Sequence, residues 1–297
     1  MKKLKILLTG SNGFIGKNIL EQLGHKYSFV APSHHELDLL DAKAVQNFLK
    51  RNKSFDLVIH TAVIGGNRKI PNTADIAYKN LQMFFNIARC QQYFKKMIHL
   101  GSGIEFGKEK PIIRFSETDL DKRVPKDPFG FYKYICAKYI EATEKILNLR
   151  LFGIYGKYED FEIRFISNAI CKSILGLPIT INRNVYFDYL YVNDFINILD
   201  YFIIHNVRYK TYNVGRGKII DLLTIAHKIN KIAAKKSKII IHHQGLANEY
   251  TCKNRRLLKE LAGFKFTDFD QSLKELYGWY LSIKDKLKKE SFYDDHF

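Results

Sequence analysis

The feature that most restricts this chain is a glycine-spaced turn near its start. Residues 4–8 form a short apolar run bounded by Gly10, which reads as a buried strand. It leads into Thr9-Gly10-Ser11-Asn12-Gly13-Phe14-Ile15-Gly16, and residues 14–23 then carry apolar side chains at helical spacing. Gly10 permits the tight turn. Gly13 lets the backbone approach a pyrophosphate without a Cβ in the way, and Gly16 allows close packing of helix on strand. The start of the helix offers unpaired N–H groups to an anion. Gly10, Asn12, Gly13, Phe14, Ile15 and Gly16 are therefore candidate cofactor-binding residues.

The same alternation continues along the first half. Residues 27–31, 57–61, 97–100 and 149–154 read as strands, and 42–50, 75–93 and 132–146 as helices. Strands alternating with helices predict a parallel sheet covered on both faces. Right-handed crossovers make it a doubly wound α/β sheet, a Rossmann fold. Beyond Gly156 the pattern is irregular. Helices are expected at 163–175, 194–204, 222–234, 257–262 and 271–286, and strands at 185–192 and 238–241. The expected organisation is a dinucleotide-binding domain over 1–156, to which later segments return. A smaller, mainly substrate-binding α+β region follows over 157–297.

A site that prefers NAD places a carboxylate at the end of the second strand. Here that strand ends Val30-Ala31-Pro32-Ser33-His34-His35, and the first acid is Glu36. A 2′-phosphate would meet Ser33 and His34, so NADP(H) is favoured and NAD(H) is possible.

Tyr134 and Lys138 stand at i and i+4, on one face of the expected helix. A phenol is a poor base at neutral pH, but a neighbouring ammonium lowers its pKa. Such a pair can exchange a proton at a sugar oxygen while a nicotinamide exchanges hydride. Tyr280 and Lys284 share the spacing but lie in the C-terminal helix, far from the expected cofactor edge. Ser102, in Leu100-Gly101-Ser102-Gly103, falls at the carboxyl end of the fourth strand, where ligands bind in such sheets.

Composition narrows the partners. The formal net charge is +18. The excess is spread over both halves with Lys at helical spacing, so solvated helix faces are expected and nucleic-acid binding is not. No apolar run is long enough for a membrane span. Cys90, Cys136, Cys171 and Cys252 are widely separated and form no cluster with His, so reduced cytoplasmic thiols and no metal are expected.

These motifs together resemble the extended short-chain dehydrogenase/reductase superfamily, the NAD-dependent epimerases, dehydratases and reductases of nucleotide sugars. TGSNGFIG resembles its cofactor loop, LGSG its catalytic serine and YICAK its Tyr-Lys pair. FDYLYVNDF (187–195), YNVGRG (212–217) and NRRLLKELAGFKF (254–266) resemble later segments. The resemblance implies that Ser102, Tyr134 and Lys138 are catalytic, with Tyr134 and Lys138 also touching the cofactor. It places Ala62 and Val63 along the cofactor and Asn80 beneath it. HELDLLDAKAVQNFL (35–49) is most similar to GDP-L-fucose synthase-like 4-keto-sugar reductases, which sets Asp38 and Leu39 against the adenine.

That group has a Cys two residues after the serine and a His in the substrate domain. Here those features are replaced by Ile104 and by the stretch directly after Gly156, residues 157–204, which offers Arg164 and no His. A simple 4-keto reduction is therefore expected, without epimerisation beside the carbonyl. Phe187 stands where many members have an Arg that holds the substrate diphosphate, so Arg164 or Arg183 is expected as the substitute, beside Gly103 as a further substrate contact. The span from Lys138 to Arg150 is shorter than the family's usual helix, loop and strand. The implied activity is an NADP(H)-dependent nucleotide-sugar 4-reductase. The alternatives are a 4-epimerase with tightly bound NAD and a catalytically silent cofactor-binding regulator. A homodimer is implied by relatives that pair through two helices, one of them the Tyr-Lys helix.

Overall fold

The computed structural model describes residues 3–52, 54–66 and 69–292. The first half contains strands β1 Lys5–Thr9, β2 Ser28–Val30, β3 Phe55–His60, β4 Phe94–Ser102, β5 Ile112–Phe115 and β6 Ile146–Leu151. Its helices are α1 Phe14–Leu23, α2 Ala42–Arg51, α3 Ala74–Ala88 and α4 Pro128–Glu141. The second half adds strands β7 Gly153–Tyr155, β8 Ile179–Asn184, β9 Tyr186–Tyr191, β10 Thr211–Val214, β11 Ile219–Asp221, β12 Ile239–Leu246 and β13 Tyr250–Cys252. Its helices are α5 Phe165–Ile174, α6 Val192–Ile204, α7 Leu222–Ile232, α8 Arg255–Glu260 and α9 Phe269–Ser282.

The main sheet runs β10-β6-β4-β3-β1-β2, and all its pairings are parallel. Its central strands are apolar on both faces, because helices cover both. On one side Ile6, Leu8, Ile59 and Leu149 pack with Ile19 of α1 and Phe195 and Leu199 of α6. On the other, Leu7, Val58 and Met97 pack with Leu49 of α2, Phe84 of α3 and Cys136 and Ile140 of α4. The chain reverses direction along the sheet beside β1, so the carboxyl ends of β1, β3 and β4 open a crevice there. β10, from beyond residue 157, completes the sheet's edge against β6. A second core holds Ile166 and Ile170 of α5, Ile225 of α7, Leu276 of α9 and Ile179 of β8. A mixed sheet β11-β9-β13-β5 connects this second layer to the first half.

One element departs from its expected register in a way that matters. α4 starts at Pro128, not at 132, and ends at Glu141, not at 146. Asp127 is its N-cap and accepts the Phe129 N–H at 3.0 Å, with proline at the first helical position. β6 then begins at Ile146.

Candidate active site

The glycine turn has the geometry its spacing predicts. Gly10 has φ +73°, and a Cβ there would stand 2.6 Å from the Ala62 backbone nitrogen. A Cβ at Gly16 would stand 2.3 Å from the Gly10 carbonyl oxygen. The turn after β1 therefore lies against the segment after β3, and Thr61 Oγ1 ties them by donating to Thr9 O at 2.7 Å. Gly13 caps α1 with no side-chain bond, and no acidic residue occupies the first turn. The helix start so keeps N–H groups and positive dipole for an anion. Asn12 and Gly13 are exposed there, while Phe14 turns into the second core and Ile15 into the first. Asn80 is buried and clamps the segment bearing Ala62 and Val63. Its Oδ1 accepts from Ile64 N at 3.0 Å and its Nδ2 donates to Ile64 O at 2.8 Å. These features fit a dinucleotide diphosphate.

At the end of β2, Ser33 is half-buried and His34 exposed, with His34 Nδ1 3.9 Å from Asp38 Oδ1. Glu36 folds back so that its Oε2 accepts from the Ser33 N–H at 2.7 Å. Leu39 is buried with Leu37 and Val45 in the core beneath.

Ser102 ends β4 and is held by its backbone. Glu105 Oε1 accepts the Ser102 N–H at 2.9 Å, closing a capping box over the short turn Gly103–Phe106. Glu105 is itself fully buried, 2.6 Å from Arg150 Nε, and also accepts from Asn148. It serves to hold this turn and its own charge is spent on Arg150.

The structure does not bring Tyr134 and Lys138 to Ser102. The Ser102 hydroxyl lies 3.3 Å from the Tyr250 hydroxyl. The Tyr134 hydroxyl donates to Asp121 Oδ1 at 2.8 Å, and Lys138 Nζ reaches Asp121 Oδ2 at 2.9 Å and Glu141 at 3.0 Å. Asp121 and Lys138 are well exposed. Burial and the Asp121 carboxylate raise the Tyr134 pKa, the reverse of the lowering that a Lys partner was expected to give. The cause is the register of α4. A helix turns about 100° per residue, so Tyr134 and Lys138 stand roughly 140° around the axis from Phe129 and Lys133, the other aromatic–lysine pair at i and i+4. The face toward the sheet carries Phe129, Lys133, Cys136, Ala137 and Ile140, all buried.

Phe129 lies over the segment after β3, where a Cβ on Gly66 would come 2.5 Å from its ring. Lys133 Nζ donates to Leu100 O at 2.6 Å, two residues before Ser102. Burial lowers the Lys133 pKa. Among the described residues this is its one hydrogen bond, which leaves N–H donors at the carboxyl end of β4. Measured from Lys133, the distance to Arg150 is five residues longer than from Lys138, which removes the apparent shortening of the chain there. The signal was legible: Asp127-Pro128 is a helix start.

Arg164 caps α5 and donates to Gly66 O at 3.1 Å, so it stands at this crevice. Arg183 is exposed on β8, whose partner is β12 in a separate two-stranded sheet. Gly103 is buried under Tyr250, and a Cβ there would lie 2.6 Å from the Tyr250 hydroxyl. Tyr250 escaped the sequence reading because nothing near it in the chain marks it. Only the pairing of β13 with β5 and β9 carries it to Ser102. Among the described residues no group of His, Cys, Asp and Glu could hold a metal ion. No helix among them is long and apolar enough to cross a membrane.

With this fold and site in view, the chain belongs to the NAD dependent epimerase/dehydratase family, whose pattern it matches over residues 6–215. It is 28% identical over 261 residues to GDP-L-colitose synthase of Yersinia pseudotuberculosis, covering 80% of this chain and 84% of that protein. It is 21% identical over 328 residues to GDP-L-fucose synthase of Escherichia coli, covering 97% of this chain and 100% of the relative. Among solved structures, GDP-mannoheptose C4 reductase from Campylobacter jejuni with NADP bound superposes with a TM-score of 0.80. That likeness covers 94% of this chain and 99% of the other at 19% identity.

Proposed function

We propose that this protein is an NADP(H)-dependent reductase of a 4-keto nucleotide-diphospho-sugar, with a GDP-sugar as the first substrate to test. The observation that carries this reading is that the glycine cradle at Gly10, Gly13 and Gly16, after β1, and Ser102, at the end of β4, stand on the same carboxyl edge of the parallel sheet. The names of the two relatives and the NADP in the Campylobacter reductase support the choice of substrate and cofactor. The lack of a carboxylate between Val30, the end of β2, and Glu36 also favours NADP(H), with NAD(H) as the second cofactor. Ser102 would orient the carbonyl oxygen. Arg164 would face the sugar diphosphate and Gly103 would stand behind the sugar, with residues 157–297 supplying most of the substrate surface. Arg183 would touch substrate only at its far end.

The reading is tested by titrating the chain with NADPH and NADH and following nicotinamide fluorescence. NADPH should bind at least tenfold more tightly, and its oxidation should depend on an added GDP-4-keto-6-deoxy sugar. Equal affinity would remove the NADP(H) preference; binding without turnover across 4-keto nucleotide sugars would remove the reductase.

We further propose a homodimer in the cytoplasm. Tyr78, Leu81 and Phe85 of α3 and Phe131, Ile135 and Tyr139 of α4 leave apolar surface on two helices that pack together. The four cysteines are buried free thiols, which suits a reducing compartment.

A further inference from the structure

Four observations meet at the end of β4. First, the helix face turned to the crevice carries Phe129, which has no hydroxyl, and Lys133. Second, the one tyrosine of the YICAK segment, Tyr134, spends its hydroxyl on Asp121. Third, Ser102 nevertheless has a phenol beside it, Tyr250, at 3.3 Å. Fourth, that phenol is held in place: its ring lies 5.0 Å from Phe152 and 5.9 Å from Phe187, and it passes over Gly103, where any side chain would displace it.

Taken with the reductase reading, on which this inference rests, we propose that Tyr250 is the proton donor of the site, acting with Ser102 in place of a tyrosine on α4. Lys133 is the buried cation on the same edge. Hydride supplied by the bound dinucleotide would go to the carbonyl carbon, leaving the dinucleotide oxidised. Ser102 Oγ–H and Tyr250 O–H both address the carbonyl oxygen, and the Tyr250 proton passes to it to complete the alcohol. The phenolate left on Tyr250 recovers its proton from water. Burial raises the Tyr250 pKa most, the hydrogen bond with Ser102 lowers it in part, Glu105 raises it further and the cation Arg164 lowers it slightly. The phenol is therefore kept protonated at neutral pH, as a donor must be before the step.

The position of Phe187 agrees with this arrangement. It pairs in register with Tyr250 between β9 and β13, so an apolar ring stands where a charged side chain would compete for the phenol. Gly66 and Arg164 close the other side around Phe129.

The test uses the full chain with NADPH and a 4-keto GDP-sugar. Tyr250→Phe should lower kcat at least about 100-fold, the lower end of general-acid effects. NADPH affinity, read by nicotinamide fluorescence, should stay within about twofold, since the phenol acts on substrate oxygen. Turnover in Tyr250→Phe within threefold of wild type would overturn the proposal. So would a comparable loss of kcat in Tyr134→Phe with Tyr250→Phe active. If Tyr250→Phe fails to fold, trifluorotyrosine placed at 250 keeps the shape and lowers the phenol pKa. An alkaline limb of kcat/KM absent from wild type should then enter the accessible pH range, which a packing role would not produce, and a profile unchanged from wild type would overturn the proposal. Wild-type chain that binds NADPH and reduces none of these sugars would instead remove the reductase reading, and the donor assignment with it.

Discussion

Single residues in this protein are often tuned by burial more than by partners. Glu159 shows this away from the crevice. It is buried, and desolvation pushes its carboxyl up to about 7, while a bond from Ser167 Oγ at 2.6 Å only partly offsets the rise. The folded chain thus holds a proton that the unfolded chain releases near 4.5. The resulting stability is complete below the unfolded pKa and is lost as pH rises through about 7. The shift corresponds to a stability loss on the order of 3 kcal/mol. Glu159→Gln, which cannot ionise, should flatten this limb when urea midpoints are compared between pH 5 and pH 8. A wild-type midpoint that does not fall over that range would refute the assignment.

At the scale of elements, the carboxyl end of β4 is fixed by charge rather than by loop stiffness. Glu105 and Arg150 form an ion pair whose side chains are 0% and 1% exposed, and Arg150 also donates to Asn213 on β10. Three adjacent strands, β4, β6 and β10, are thereby joined behind Ser102. Removing one partner of a buried pair leaves an uncompensated charge and costs about 3–5 kcal/mol. Glu105→Ala should lower unfolding free energy by that amount in denaturant titration, and the Ser102 N–H would lose its acceptor. A loss below about 1 kcal/mol would show that water reaches Arg150. The same scale decides the site's identity. A shift of four residues in the start of α4 exchanges one aromatic–lysine pair for another, because each pair keeps its i,i+4 spacing while the face changes.

For the whole molecule, the net charge of +18 would favour the diphosphates proposed as ligands of the crevice. The α3–α4 face is the surface proposed to meet a second copy. Tyr78 and Phe131 are 66% and 41% exposed there, so replacing both by Glu should leave the single chain folded. Sedimentation should show two copies for wild type and one for the double variant. A wild-type chain sedimenting at the mass of one copy would remove the dimer.

The local grammar of the chain determined a good part of this protein. The turn of Gly10, Gly13 and Gly16, the alternating strands and helices of the parallel sheet, and Ser102 at a strand end all follow from spacing. Spacing reflects short-range sterics and periodicity that tertiary packing does not overrule. The start of α4 was also marked locally, by Asp127-Pro128, although the face that meets the sheet shows only in the burial of Phe129, Lys133 and Cys136. One decision belonged to the folded chain alone. Which phenol stands beside Ser102 depended on β13 pairing with strands more than sixty residues away in the chain. Such long-range pairings are set by the total burial of the second layer, and no window of local sequence contains them.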